Sequence, residues 1–126
     1  MAKTAITTDR APRPAGGYSQ AIRTGRLLFI AGQVPFDPDT GALTGDTIEA
    51  QTARALDNIG AILEAAGASF ADVVKVNAYL ADMALFDGYD AVYRTYFPDP
   101  RPARATVGAN LVGFLVEIDA VAEVAD

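Results

Sequence analysis

The C-terminal segment from Arg104 onwards constrains the fold of this chain most, because it is apolar and its side chains alternate in character. A row of apolar residues falls on one side of an extended strand: Val116, Ile118, Ala120 and Ala122. The intervening residues fall on the other side: Glu117, Asp119, Val121 and Glu123. Such alternation is typical of a strand with one buried face. The segment must therefore lie in a sheet, and its carboxylates must point away from the apolar row.

A single cation, Arg104, begins this segment, and the carboxylate of Glu117 follows on the next predicted strand. A guanidinium beside apolar strands is costly unless an anion meets it. From the residues alone two interpretations remain open. Arg104 and Glu117 form a structural ion pair between neighbouring strands, or they line a pocket that binds a small carboxylic acid and carries out water chemistry on it.

The rest of the chain alternates between strand and helix patterns. Asp46 and Glu49 form a capping-box-like pair that predicts the start of a first helix, and Gly67 is a natural end for it. Asp82 is the predicted cap of a second helix, which contains the aromatic stripe Phe86, Tyr89, Tyr93 and Tyr96 and is expected to pack in the core. Strands are predicted at 5–7, 21–23, 27–31, 73–80, 105–109 and 114–124, with a hairpin turn at Gly25.

This order predicts a single α+β domain over residues 1–126, in which a mixed sheet has both helices on one face. Hairpins are expected to open and close the chain. The residues Val74, Val76, Ala78 and Leu80 are expected to form one apolar row. A small sheet that is apolar on much of both faces predicts oligomerisation, with sites between subunits.

Composition removes several classes of function. The chain has no cysteine and no histidine, which excludes disulfides, Ser-His and Cys-His dyads and nearly all zinc sites. A net charge of −6 argues against nucleic-acid binding, which needs a basic face. No apolar run is long enough for a membrane span, and the N-terminus has no secretion signal, so we expect a cytoplasmic protein.

Several segments together resemble the Rid/YjgF family of reactive-intermediate (enamine/imine) deaminases. The similar segments occur in family order over nearly the whole chain, at 16–21, 30–35, 56–67, 73–75, 102–104 and 116–122. The resemblance implies a chorismate-mutase-like α+β fold, assembled as a homotrimer with clefts between subunits. It also implies hydrolysis of small 2-imino acids, such as 2-iminopropanoate and 2-iminobutanoate, to 2-keto acids and ammonia. Neither a metal nor an organic cofactor is expected, and the only partners are the substrate and other copies of the chain.

The resemblance also implies roles for particular residues. Arg104 would hold the substrate carboxylate through a bidentate contact, and Glu117 would orient or deprotonate the attacking water. Tyr18 would line the cleft, Gly32 would let the backbone approach the ligand, and the backbone around Thr106 would hold the carboxylate and the imine nitrogen.

The chain departs from the family pattern at a few of its expected cleft positions. Thr106 stands where many members have cysteine, and Asp90 stands at a substrate-binding position where the best-known members have asparagine. Gly17 replaces a proline beside Tyr18, and the 110–113 connection, which helps to wall the cleft, is shorter than usual.

Two other functions remain open. A larger enamine from a catabolic pathway is an alternative substrate, and a non-catalytic metabolite-binding or chaperone-like trimer is an alternative class. Without the resemblance, Tyr18 is interpreted as a packing residue of its loop. The 37–41 segment is interpreted as a turn rather than a calcium-binding loop.

Overall fold

Six strands form one mixed sheet, and both α-helices pack on the same face of it, as the sequence predicts. The structure is a computed structural model that describes residues 2–125. Its elements are, in chain order, β1 (Lys3–Ile6), β2 (Ala21–Thr24), β3 (Leu27–Gln33), α1 (Ile48–Ala65), β4 (Val73–Leu80), α2 (Phe86–Tyr96), β5 (Ala103–Gly108) and β6 (Val116–Glu123). Short 3₁₀ turns precede β4, at Phe70–Asp72, and α2, at Met83–Leu85.

The strand order in the sheet is β1-β2-β3-β6-β4-β5. The predicted N-terminal hairpin is confirmed, with Gly25 at a φ of 58° in the turn between β2 and β3. The predicted closing hairpin is wrong. Helix α2 carries the chain across so that β5 runs parallel to β4 at one edge, as a strand-helix-strand unit does. Strand β6 then inserts antiparallel between β3 and β4.

The alternation along β6 places its residues as expected. The buried residues, beneath the helices, are Val116, Ile118, Ala120 and Ala122. The alternate residues face the opposite, open side of the sheet: Glu117, Asp119, Val121 and Glu123. Strand β4 follows the same rule at three of the four positions predicted to be apolar and buried. Val74 instead is exposed, because the pairing of β4 with β6 shifts register between Val73 and Lys75 and Val73 takes the buried position.

The residues predicted to cap the two helices, Asp46 and Asp82, are not the ones that cap them in the structure. Thr47 rather than Asp46 caps α1, since its hydroxyl accepts a hydrogen bond from the Ala50 N–H at 3.1 Å. Gly67 follows the end of the helix at a φ of 76°, as predicted. Asp82 caps the 3₁₀ turn that leads into α2 and not α2 itself. Within residues 2–125, neither helix has the length and apolar character that a membrane crossing needs.

Candidate active site

Arg104 lies on the edge strand β5, in register with Val76 of β4, and its side chain extends over the helix-bearing face of the sheet. Its Nη1 donates a hydrogen bond to Asp90 Oδ1 of α2 at 2.7 Å, and only 22% of the Arg104 side chain is exposed. The anion that meets this guanidinium is therefore Asp90. The ion pair with Glu117 that the sequence left open is wrong, because β4 separates the two strands and their side chains lie on opposite faces.

Three aromatic rings of α2 surround the guanidinium. The Arg104 Cζ atom lies 4.5 Å from the centroid of the Tyr93 ring and 5.4 Å from those of Phe86 and Tyr89. The predicted role of the stripe in the core is confirmed for Tyr89 and Tyr93, which are buried. The same rings also stabilise the cation through their negative faces. The helical spacing of these residues predicts the first role but not the second, which depends on how α2 packs over β5.

Asp90 lies between two arginines, since its Oδ2 accepts a hydrogen bond from Arg94 Nε at 2.9 Å. Burial acts to raise the pKa of the Asp90 carboxyl, but the hydrogen bonds from Arg104 and Arg94 outweigh it and the pKa lies below its ordinary value. Burial acts to lower the pKa of Arg104, but the hydrogen bond to Asp90 outweighs burial, and the pKa of Arg104 lies above its ordinary value. Both groups therefore stay charged near neutral pH.

Thr106 follows Arg104 on the same side of β5. Its hydroxyl oxygen lies 3.0 Å from that of Tyr89, so the side chain is engaged within the protein. The Ala109 N–H donates to the Leu80 carbonyl, so the backbone groups of Ala109, and of every second residue before it on β5, point toward β4. The N–H and C=O of Thr106 then point away from β4, toward the open edge of the sheet. The backbone groups of Thr106 are therefore unpaired with β4, and their expected contact with the substrate stays a prediction.

Glu117 and Gly32 lie together on the open face. A methyl group at position 32 would overlap the Glu117 carboxylate, so glycine is needed there for the carboxylate to occupy its place. Burial, with a smaller effect from the charge of Asp119, raises the pKa of the Glu117 carboxyl above its ordinary value. Asp119 itself accepts hydrogen bonds from Asn77 Nδ2 and Tyr79 Oη on the neighbouring strand.

Tyr18 lies on the loop before β2 and is 51% exposed. Its hydroxyl accepts a hydrogen bond from the Ala15 N–H at 3.1 Å, and its own N–H donates to the Gly16 carbonyl, so the loop is held despite Gly17. Tyr18 and Gly32 line one cleft of about 610 Å³ with the aromatic pair Phe36 and Phe114. Sequence reasoning missed these two phenylalanines, which come from loops far apart in the chain.

The predicted site residues thus form two separate groups. Arg104, Asp90 and Thr106, together with the Arg94 that Asp90 also binds, make a cationic group at the β5 edge, and Glu117, Gly32 and Tyr18 make an acidic group on and beside the open face. No group of three or more acidic side chains within residues 2–125 is arranged to hold a metal. The 37–41 segment is a turn, in which Asp37 Oδ1 accepts hydrogen bonds from the N–H groups of Asp39 and Thr40.

Comparison with known proteins gives consistent relatives. The family model described as Endoribonuclease L-PSP matches residues 8–124. A RutC family protein of Pyrococcus abyssi is 48% identical over 124 residues, which cover 97% of this chain and 98% of that protein. The 2-iminobutanoate/2-iminopropanoate deaminase of Mus musculus is 44% identical over 119 residues, covering 93% and 88% respectively. The structure of RidA from an Antarctic Psychrobacter bacterium has a TM-score of 0.91 at 40% identity, covering 96% of this chain and 99% of that one.

The six-stranded mixed sheet with both helices on one face defines the class of RidA-like α+β proteins, and the solved relatives share it. Within that class the chain belongs to the Rid/YjgF family, also described as Endoribonuclease L-PSP, so the resemblance of its motifs is confirmed. Relatives that are named as imine deaminases support its place in a family of deaminases.

Proposed function

We propose that this protein hydrolyses small 2-imino acids to 2-keto acids and ammonia. The observation that carries the proposal is Arg104, whose guanidinium is fixed by Asp90 and three aromatic rings at an open sheet edge. A guanidinium has five N–H donors, and the hydrogen bond to Asp90 uses one of them. The remaining donors suit a bidentate contact with a substrate carboxylate. The mouse and rat relatives named as 2-iminobutanoate/2-iminopropanoate deaminases support the same chemistry.

The complete site is proposed to form between copies of the chain in a homotrimer. The cationic group and the acidic group lie on different faces of one sheet, so a single chain does not bring them to one ligand. Exposed apolar side chains on the open face, including Phe29 and Val107, favour association of that face with another copy. In this assembly Arg104 and Thr106 come from one subunit, and Glu117, Gly32 and Tyr18 from its neighbour.

The proposed reaction begins when Arg104 holds the substrate carboxylate and the backbone N–H and C=O of Thr106 fix the orientation of the imine. Glu117 accepts a proton from water as the water oxygen bonds to the imine carbon, and that proton passes on to the imine nitrogen to give a carbinolamine. The carbinolamine hydroxyl then gives up its proton, the amino nitrogen takes one up, and the carbon–nitrogen bond breaks, releasing ammonia and leaving the 2-keto acid. A raised pKa makes Glu117 a stronger base than an ordinary carboxylate, which suits the role of a general base.

The test uses an amino acid oxidase to generate 2-iminopropanoate in the presence of semicarbazide, which traps the imine that remains. Wild-type protein is expected to suppress semicarbazone formation, and Arg104→Ala is expected to abolish that suppression. Arg26→Ala is the matched control, because Arg26 is an exposed arginine at the β2–β3 turn that lies 3.8 Å from the Glu123 carboxylate. Size-exclusion chromatography checks that each variant keeps its oligomeric state. Full activity of Arg104→Ala would contradict the proposal.

A larger enamine is the second candidate substrate, favoured by the apolar cleft beside Tyr18. Its volume of about 610 Å³ and its Phe36 and Phe114 lining suit a bulky side chain better than the methyl group of 2-iminopropanoate. The same assay with the imine of phenylalanine distinguishes the two. Faster hydrolysis of the aromatic imine would favour the second candidate.

A further inference from the structure

A small pocket at the C-terminal end of α2 concentrates positive charge on an otherwise acidic protein. It has a volume of about 280 Å³ and is lined by Asp90, Tyr93, Arg94, Arg101, Pro102 and Arg104. Three of the 10 Lys and Arg residues of the chain line this one pocket, although the net charge of the chain is −6. Asp90 is the single acidic residue of the lining, so positive charge predominates in the pocket.

Two of the arginines are held in place and keep free donors. Asp90 accepts one hydrogen bond from Arg104 and one from Arg94, through its two different oxygens. Each of these hydrogen bonds uses one of the five N–H groups of its guanidinium. The carboxylate therefore orients both side chains toward one pocket without saturating either of them.

Arg101 is the third arginine, and its side chain makes only a weak contact with another charged residue among residues 2–125. It lies between Pro100 and Pro102, whose rings restrict the backbone on both sides of it. Its Nη1 is 3.5 Å from Asp99 Oδ1, beyond the usual length of an N–H···O hydrogen bond, and the Asp99 side chain is almost fully exposed. The guanidinium is thus a weakly paired cation at the pocket rim.

The Tyr93 hydroxyl is a buried polar group that lacks a partner. Tyr93 is 2% exposed, and its hydroxyl makes no hydrogen bond within residues 2–125. Burial, with a smaller effect from Tyr89, raises the pKa of Tyr93 to about 12, so the hydroxyl keeps its proton near neutral pH. Buried hydroxyls usually have an acceptor, and Tyr93 lines this pocket, so a small shift of its ring would bring the hydroxyl to an anionic oxygen bound there.

We propose that Arg94 and Arg101 recognise a second acidic group on the substrate whose 2-imino carboxylate is held by Arg104. The favoured substrates are then short dicarboxylic 2-imino acids, such as the imines of aspartate and glutamate, rather than monocarboxylic ones. One small ligand can reach all three arginines because they line one pocket. The inference rests on the proposed function, and the reaction is unchanged: water adds to the imine carbon, ammonia leaves, and a dicarboxylic 2-keto acid forms.

The first experiment compares kcat/KM for the imines of glutamate and alanine, each generated by its oxidase. Wild type is expected to favour the dicarboxylic imine. Arg101→Gln is expected to reduce that preference ~10-fold, the effect of losing about 1.4 kcal/mol of binding, and Arg101→Lys to restore part of it. Arg26→Gln is the control that removes an exposed arginine elsewhere. An unchanged preference in Arg101→Gln, or a wild type that favours the alanine imine, would overturn the inference.

A binding experiment separates failure of this inference from failure of the proposed function. Calorimetric titration with 2-oxoglutarate and with 2-oxobutyrate measures recognition of the two kinds of product without any turnover. Tighter binding of 2-oxoglutarate that is lost in Arg101→Gln supports the second anion site even if no imine is hydrolysed. Binding of a short oligoribonucleotide in preference to 2-oxoglutarate, again lost in Arg101→Gln, would overturn the proposal and assign the arginines to nucleic acid.

Discussion

Replacing Asp90 by alanine removes the carboxylate that fixes Arg104, and the size of the effect follows from the geometry. The two side chains meet at 2.7 Å and are only 15% and 22% exposed. A hydrogen bond to a charged group contributes about 1.5–3 kcal/mol, and an exposed ion pair about 0–1 kcal/mol. The aromatic rings around Arg104 still stabilise the cation when Asp90 is lost. We therefore expect a coupling energy of about 1–2 kcal/mol between the two residues.

Urea denaturation of wild type, Asp90→Ala, Arg104→Ala and the double variant measures this coupling. The cycle separates the Arg104 contact from the contact that Asp90 also makes with Arg94. All four proteins are compared at one protomer concentration, because association shifts apparent stability. The Arg10–Glu64 pair is a matched control, since it has the same 2.7 Å distance but both side chains are mostly exposed. Its coupling is expected to be about 0.5 kcal/mol or less.

The coupling between Asp90 and Arg104 is also expected to depend on pH. A carboxyl whose pKa is lower in the folded state contributes stability above its unfolded-state pKa and loses it as the pH falls through its folded-state pKa. Since the pKa of Asp90 is lowered, the coupling is complete near neutral pH and declines below pH ~4. Equal coupling in the buried and the exposed pair, or a coupling that stays constant through the acid range, would refute the reasoning.

Three further predictions test the fold and the acidic half of the site. Gly32→Ala is expected to displace the Glu117 carboxylate and to lower imine hydrolysis ~100-fold while the circular dichroism spectrum stays unchanged; wild-type turnover would contradict this close packing. Activity of wild type is expected to fall on the acid side with a midpoint above the ordinary glutamate pKa, because a general base must be ionised, and Glu117→Gln should remove that limb from its residual rate. Thr47→Ala is expected to destabilise the protein by ~1 kcal/mol in urea denaturation through loss of the α1 cap, whereas Asp46→Ala should have a smaller effect.

The elements of this fold were predictable from local pattern, and their arrangement in the sheet was not. The alternation along β6 and the glycine of the β2–β3 turn correctly indicated a strand and a hairpin, because both depend on near neighbours. The insertion of β6 between β3 and β4 depends instead on long-range pairing. Nothing in the residues around Arg104 distinguishes a β5–β6 hairpin from a parallel β4–β5 pair.

The same limit applies to the candidate site. Motifs identified Arg104, Glu117, Gly32 and Tyr18, but their division into two groups follows from strand order and from which face each strand presents. The partnership of Asp90 with Arg104 joins a helix to an edge strand, so it appears only once α2 is placed over β5. The i,i+4 spacing of Asp90 and Arg94 on one helix face indicates the contact between those two residues, and it carries no information about Arg104.

The placement of the cationic and acidic groups on different faces of the sheet has a genetic consequence. In the proposed assembly each site takes Arg104 from one chain and Glu117 from the next, so chains defective in different halves can complement one another. When equal amounts of Arg104→Ala and Glu117→Gln chains are unfolded together and allowed to assemble at random, about one site in four receives both intact halves. Two alleles that are each inactive alone would then restore function in a cell that expresses both.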